Sequence, residues 1–266
     1  MKTIRLVLIV GMILALLTVN VSAASPGAIA FVGFNADDTD GFAFVLLTGA
    51  NAGSIVYFTD KQWDGSAFIG SEGFSQWTAP AGGLATGTVV VVSGVATSSP
   101  SVTAGDFTKI SGSMNLGGGE EAIYAYQGSD ESTPTQFLAL VSNDTLANAS
   151  ASLANTGLTE GTTAIVITGD EDVMVYSGGT SFVNESAAHT SLGNAANWTT
   201  QDGSNDQDQD AITPDFPDDL PGNFTISSPT AITLRGLSAS SAGAGLPVMG
   251  LALAGLLVGV VVVRRR

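Results

Sequence analysis

Apolar residues along this chain come in short runs. Gly27–Phe34, Phe42–Leu47 and Ser54–Asp60 follow one another quickly, each rich in β-branched and aromatic side chains. Gly, Asn or Asp closes each of them, and runs of this length between turn formers predict strands. Further strands are expected at Glu72–Thr78, Thr86–Val92, Phe107–Ser111, Glu121–Gln127, Gln136–Ser142, Thr163–Thr168, Val173–Tyr176, Asn223–Ser227 and Thr230–Leu234. The unbroken valines from Val89 to Val92 predict burial on both faces. Lys61–Gly65 reads as a turn. One short helix is expected at Asn184–Leu192, with Asn184 able to cap it and Glu185 in its first turn. From Thr199 to Asp219 the pattern stops, and the polar, acidic, proline-containing stretch predicts a long exposed loop over the body. Many short strands with turn-rich connections predict an all-β sandwich or barrel.

The two ends follow a different pattern. Lys2 and Arg5 precede Leu6–Val19, which is apolar apart from Gly11 and Thr18, and Val21, Ser22 and Ala23 supply small residues for a signal peptidase. Residues 1–24 therefore read as a secretory signal peptide. At the other end Leu246–Val263 carries no charge and runs directly into Arg264, Arg265 and Arg266. As a helix this run would reach about 27 Å, close to the roughly 30 Å of a hydrocarbon core. The arginine cluster is expected to stay cytoplasmic, which places the preceding residues outside. The expected organisation is a signal peptide over 1–24, an extracellular β-sandwich domain over 25–237, a flexible stalk over 238–245 and a transmembrane or sorting segment over 246–266.

Charge sharpens this division. All 24 acidic residues lie between Asp37 and Asp219, and only Lys61, Lys109 and Arg235 oppose them between the two terminal segments. Such a surface repels phosphate backbones, so no nucleic-acid partner is expected. The chain has no cysteine, which excludes thiolate metal sites and cysteine nucleophiles and leaves an exported body stabilised by its core alone.

Candidate chemistry is sparse. His189 is the only histidine, and no serine sits in a Gly-x-Ser-x-Gly elbow. Glu120 and Glu121 are adjacent, so in a strand they point to opposite faces and cannot flank one glycosidic bond. Acidic loops offer more: Asp37, Asp38 and Asp40 share one loop, and Asp206, Asp208 and Asp210 alternate in another. Carboxylates on flexible loops can supply several of the six to eight oxygens that calcium takes, so these six residues are the calcium candidates, although neither run fits the helix-loop-helix calcium pattern. Asn143, Asn148, Asn184, Asn197 and Asn223 each begin an Asn-x-Ser/Thr sequon. Trp63 and Trp77 could offer flat faces to sugars or plug the sandwich core.

Several stretches resemble a module found in secreted and surface-anchored bacterial proteins. They are Ala30–Asp37, Asp40–Val45, Ile55–Asp60, Trp77–Gly83 and Ala122–Gly128, with Asn194–Thr199 matching the module's end. That module in turn resembles lamin-tail-type domains, which implies an immunoglobulin-like sandwich and no particular activity. The C-terminus resembles bacterial sorting signals, in which a short motif, an apolar span and an arginine cluster occur in order. Leu246-Pro-Val-Met-Gly250 is similar to the sortase pentapeptide, but Met249 stands where that motif has Thr, so another sorting protease or simple retention as an anchor fits equally.

Two functions follow as expectations. One is a non-catalytic module at the cell surface, anchored in the membrane by its tail, contributing to envelope structure, adhesion or extracellular matrix and meeting an extracellular protein or glycan. The other is a hydrolase of an extracellular polymer with an unrecognised carboxylate site. One histidine, no cysteine and few basic residues favour the first.

Overall fold

In the computed structural model the described residues are 24–203, 207 and 209–227. The leader through Ala23, the expected strand Thr230–Leu234, the stalk, the C-terminal apolar run and the candidates Asp206 and Asp208 lie outside them. No helix among the described residues is long and apolar enough to cross a membrane.

The chain is mostly β, with two six-stranded sheets packed as a sandwich. The first sheet contains β1 (Ile29–Asn35), β2 (Gly41–Leu46), β7 (Val89–Ser93), β8 (Ser101–Val102), β13 (Val173–Tyr176) and β15 (Trp198–Gln201). Its order is β15-β13-β1-β2-β7-β8. The second contains β3 (Ile55–Thr59), β6 (Phe74–Thr78), β9 (Asp106–Ser111), β10 (Ala122–Asp130), β11 (Thr133–Ser142) and β12 (Ala164–Val166), in the order β12-β11-β10-β3-β6-β9. All pairings within the two sheets are antiparallel except β11 with β12. Two small sheets complete the β-structure: β4 (Gln62–Trp63) with β5 (Phe68–Ile69), and β14 (Ser181–Phe182) with β16 (Thr225–Ile226).

Aromatic side chains fill the space between the large sheets. Phe58 of β3 lies 4.8 Å from Phe42, 5.3 Å from Phe44, 6.1 Å from Phe107 and 6.2 Å from Phe31, ring centre to ring centre. Trp77 sits edge-on to Phe44 and donates its indole N–H to the Ala104 carbonyl. Edge-on and tilted contacts of this kind add to the area burial of each ring.

Both sheets are also covered from outside, which explains why β1, β2 and β13 are buried along their whole length rather than at alternate residues. Over the second sheet, the β4–β5 hairpin and the segment 146–158 close on Tyr57, Tyr124, Tyr126, Phe137 and Leu140, forming a second apolar cluster. Trp63 anchors that cover: it packs against Phe68 and Phe137 and donates to the Ala154 carbonyl. Over the first sheet, Phe216 and Leu220 fill the space above Gly33 and Gly41, where a Cβ on either glycine would collide with them.

Several expectations change in detail. The segment Thr199–Asp219 opens with β15 and then crosses the first sheet while burying Phe216, so it is not uniformly exposed. Lys61–Gly65 holds β4 as well as a turn. In β7, Val90 and Val92 are buried but Val89 and Val91 only partly so, since their outward side is covered incompletely near the sheet's edge. The helix α1 (Glu185–Leu192) forms as expected, with the Asn184 carboxamide accepting from the Ala187 N–H.

The inter-sheet rings set a testable scale. Phe58→Ala should destabilise the protein by about 3–5 kcal/mol, because four neighbouring rings cannot collapse into the space. Ile212→Ala, at a site 63% exposed, should change stability by less than about 0.5 kcal/mol. Urea unfolding of both variants checks this; equal midpoints would contradict the core described.

Candidate functional site

Strand register decides where the acidic residues go. Asn35 at the end of β1 faces Gly41 and Val173, Thr59 at the end of β3 faces Tyr124, and Ala122 at the start of β10 faces Ser142. The segments following or preceding these positions must therefore meet at one end of the sandwich. They are 36–40, 60–61, 112–121, 143–144, 167–172, 202–203 and 209–210, and they carry Asp37, Asp38, Asp40, Asp60, Glu120, Glu121, Asp144, Asp170, Glu171, Asp172, Asp202 and Asp210. Glu72, just before β6, joins the same end.

Among the described residues Lys61 and Lys109 are the only lysines or arginines, and Lys61 is the weakest of the influences on Asp60. Lys61 sends its ammonium to the Gly70 carbonyl and over the Phe74 ring, and Lys109 bonds the Ala96 carbonyl and Ser113 hydroxyl. The acidic end is held by neutral donors. Asp40 accepts from the Leu116 N–H at 3.1 Å, Asp60 from Gly73 at 2.9 Å, Glu121 from Gly117 at 3.2 Å and Asp172 from Gly203 at 3.0 Å. Asn143 is the hub. Fully buried, it accepts from the Glu121 N–H at 2.7 Å and donates to the Glu171 carbonyl at 3.0 Å and the Gly117 carbonyl at 3.4 Å. The glycine run beside it permits this closeness, since a Cβ at Gly118 would run into the Asp172 carboxylate.

Crowding and burial push protons onto the carboxyls. Burial raises Asp60 to about 7, with Glu72 adding repulsion. Burial likewise raises Glu121 to about 7, helped by the charges of Asp60, Glu72 and Asp40. Asp60 is 5% exposed, and its Oδ2 has no hydrogen-bond partner. Asp40, Glu171 and Asp172 are also shifted upward, chiefly by burial. Asp144 and Asp170 hydrogen-bond to each other. Asn148 and the Thr145 N–H hold Asp144 low, while the neighbouring Asp144 raises Asp170.

The two loops singled out as calcium candidates do come together, since Asp37 Oδ2 accepts from the Gln207 N–H. The carboxylates of Asp37, Asp40 and Asp210 are engaged by the protein itself. Asp40 lies on Leu116, Asp210 accepts from Gln201 at 2.9 Å and Ile212 at 2.6 Å, and Asp38 is exposed with φ 41°. Among the described residues no three His, Cys, Asp or Glu side chains converge to hold a metal ion. Asp60 and Asn143 were not legible as members of a site. Their one signal is position: each lies just beyond an apolar strand, and only the register shows that those strand ends coincide.

The remaining chemistry resolves plainly. All three tryptophans are buried and their indole N–H groups bond Ala154, Ala104 and Leu192, so Trp63 and Trp77 offer no open face to a sugar. His189 lies in an open cleft with Glu185, Ser186 and Thr190. Its Nε2 is 3.6 Å from Glu185, its Nδ1 has no partner, and no hydroxyl bonds either nitrogen. At the end of the sandwich opposite the carboxylates, a cavity of about 280 Å³ opens between Leu46, Val56, Trp77, Leu138 and Gln127. Comparison of the chain with protein-family models, curated proteins and solved structures finds no match.

The raised carboxyls fix the sign of a pH effect. Between about 4 and about 7 the folded protein holds protons on Asp60 and Glu121 that the unfolded chain has released. Stability should therefore fall as pH rises through this window and level off above it. The urea midpoint should be higher at pH 5.5 than at pH 8, and Asp60→Asn, which needs no proton, should shrink that difference and raise the midpoint at pH 8. A midpoint that rises toward pH 8 would contradict this arrangement.

Proposed function

We propose that this chain is an exported, non-catalytic surface module, tethered by its C-terminal segment and contributing to envelope structure, adhesion or extracellular matrix. The observation that carries the reading is the polarity of the sandwich. Gly27 donates to the Leu138 carbonyl and Ala24 to the Gln127 side chain, so the chain enters at the end where β1 begins. It leaves at Ser227 beside Phe182, after Phe224 has bonded Gly87 next to the start of β7, which is that same end. The acidic loops occupy the opposite one. Ser227, the last described residue before the proposed tether, thus lies at the end away from the carboxylates. The charge keeps neighbouring copies apart and leaves the acidic loops available to an extracellular protein, glycan or cation.

The same reading assigns the apolar Leu246–Val263 run and its arginines to the membrane, with a sorting protease as a further partner, and takes the sandwich as an immunoglobulin-like relative of lamin-tail domains. A second reading, hydrolysis of an extracellular polymer, draws on the pair of raised carboxyls Asp60 and Glu121. It is the weaker one, because Asp60 is enclosed and its free oxygen meets neither solvent nor a substrate path.

Deleting Leu246–Arg266 tests the tether. The truncated protein should move from the envelope to the medium while keeping its folded body. Retention in the envelope would overturn the anchor and assign adhesion to the sandwich itself.

A further inference from the structure

The five sequons among the described residues look alike in sequence, but the structure separates them by the atom that a glycosyl transfer uses. Asn184 and Asn223 employ their carbonyl oxygens: Asn184 Oδ1 caps α1 by accepting from Ala187 at 2.8 Å, and Asn223 Oδ1 accepts from the Val89 N–H at 2.9 Å. Both residues are exposed, as are Ser186 and Thr225 two positions on, and neither Nδ2 takes part in a hydrogen bond with a described residue. At the other three sequons Nδ2 is engaged. Asn143 donates to Glu171 and Gly117 from a fully buried position, Asn197 donates to the Ser191 carbonyl at 2.9 Å and its hydroxyl at 3.1 Å, and Asn148 is drawn onto the Asp144 carboxylate at 2.6 Å.

We propose that Asn184 and Asn223 are N-glycosylation sites of the folded protein, each receiving an oligosaccharide from a lipid-phosphate-linked donor, while Asn143, Asn148 and Asn197 remain bare. The proposal rests on the export reading above. In the transfer, Nδ2 forms a bond to the sugar's C1, the C1–O bond to the lipid phosphate breaks, and the phosphate leaves with the electron pair. The Nδ2 proton passes to a base of the transferase. No oxidation is involved. The carboxamide oxygen is untouched, so the helix cap and the Val89 bond survive modification. At Asn143 and Asn197 a glycan would displace hydrogen bonds within the fold, and at Asn148 the transferase would compete with a charge-assisted one.

Location gives the two acceptors a role. They flank the small sheet in which β14 pairs with β16, at the end where the chain runs to Ser227 and away from the acidic loops. Val183, 74% exposed beside Asn184, is an apolar side chain that the first sugar could cover. Glycans here would collar the exit segment and shield it from proteases.

The test is peptide mass spectrometry of the full-length protein purified from the envelope fraction of its native host. Peptides containing Asn184 and Asn223 should carry glycan mass, and those containing the other three sequons should not. Asn184→Gln and Asn223→Gln should each remove one step of the gel-mobility shift. Envelope protein bare at both positions, or modified instead at Asn143, Asn148 or Asn197, would overturn the assignment while leaving export intact. Bare protein confined to the cytoplasm would overturn the export reading and the assignment with it.

Discussion

Like charges held close are the constraint around which this fold is arranged. Two unit charges about 4 Å apart repel by roughly 1 kcal/mol in water and by more where water is excluded. With Lys61 and Lys109 directed at carbonyls and a hydroxyl, the acidic end relies on three other means. Backbone N–H groups of Gly73, Leu116, Gly117 and Gly203 point at carboxylates. Asn143 ties the strand-end loops together through both halves of its carboxamide. Burial favours the protonated forms of Asp60 and Glu121 even though a backbone N–H reaches each, and the neighbouring Asp144 raises Asp170.

Such an end can exist only on a frame that does not yield, and the two apolar clusters provide it. The rings around Phe58 fix the sheets against each other, and the β4–β5 hairpin with its Trp63 anchor stiffens the second sheet from outside. Strand β10 belongs to both clusters: Ile123 and Ala125 face the inter-sheet core, while Tyr124 and Tyr126 face the outer one. Its first residue follows Glu121 directly, so packing on both faces of β10 sets where that carboxyl stands. The opposite end carries Ala24, Gly27 and Ser227, the two ends of the described body.

Much of this was legible in the sequence because the runs that become β1, β2, β3, β6, β10, β11 and β13 are short, apolar and closed by turn formers. The Asn184 cap likewise announced α1. What escaped was decided by tertiary contacts. Gln62–Trp63, Ser101–Val102 and Ser181–Phe182 are too short to show a period, and Trp198–Gln201 is polar enough to read as the start of a loop. At the acidic end, local density of aspartate pointed to Asp37, Asp38 and Asp40, whereas Asp60 and Glu121, the groups raised to about 7, lie far apart in sequence and are brought together by strand register. Asn143 showed only a sequon, although its burial makes it the hub of the end.

The claim that burial raises Asp60 and Glu121 at the acidic end is tested most directly by a carbon-13 NMR titration of their side-chain carboxyls in the folded protein. Both should titrate with midpoints near 7, well above an exposed aspartate or glutamate. Midpoints near about 4 for both would show that water or a cation reaches these groups, and would contradict the account.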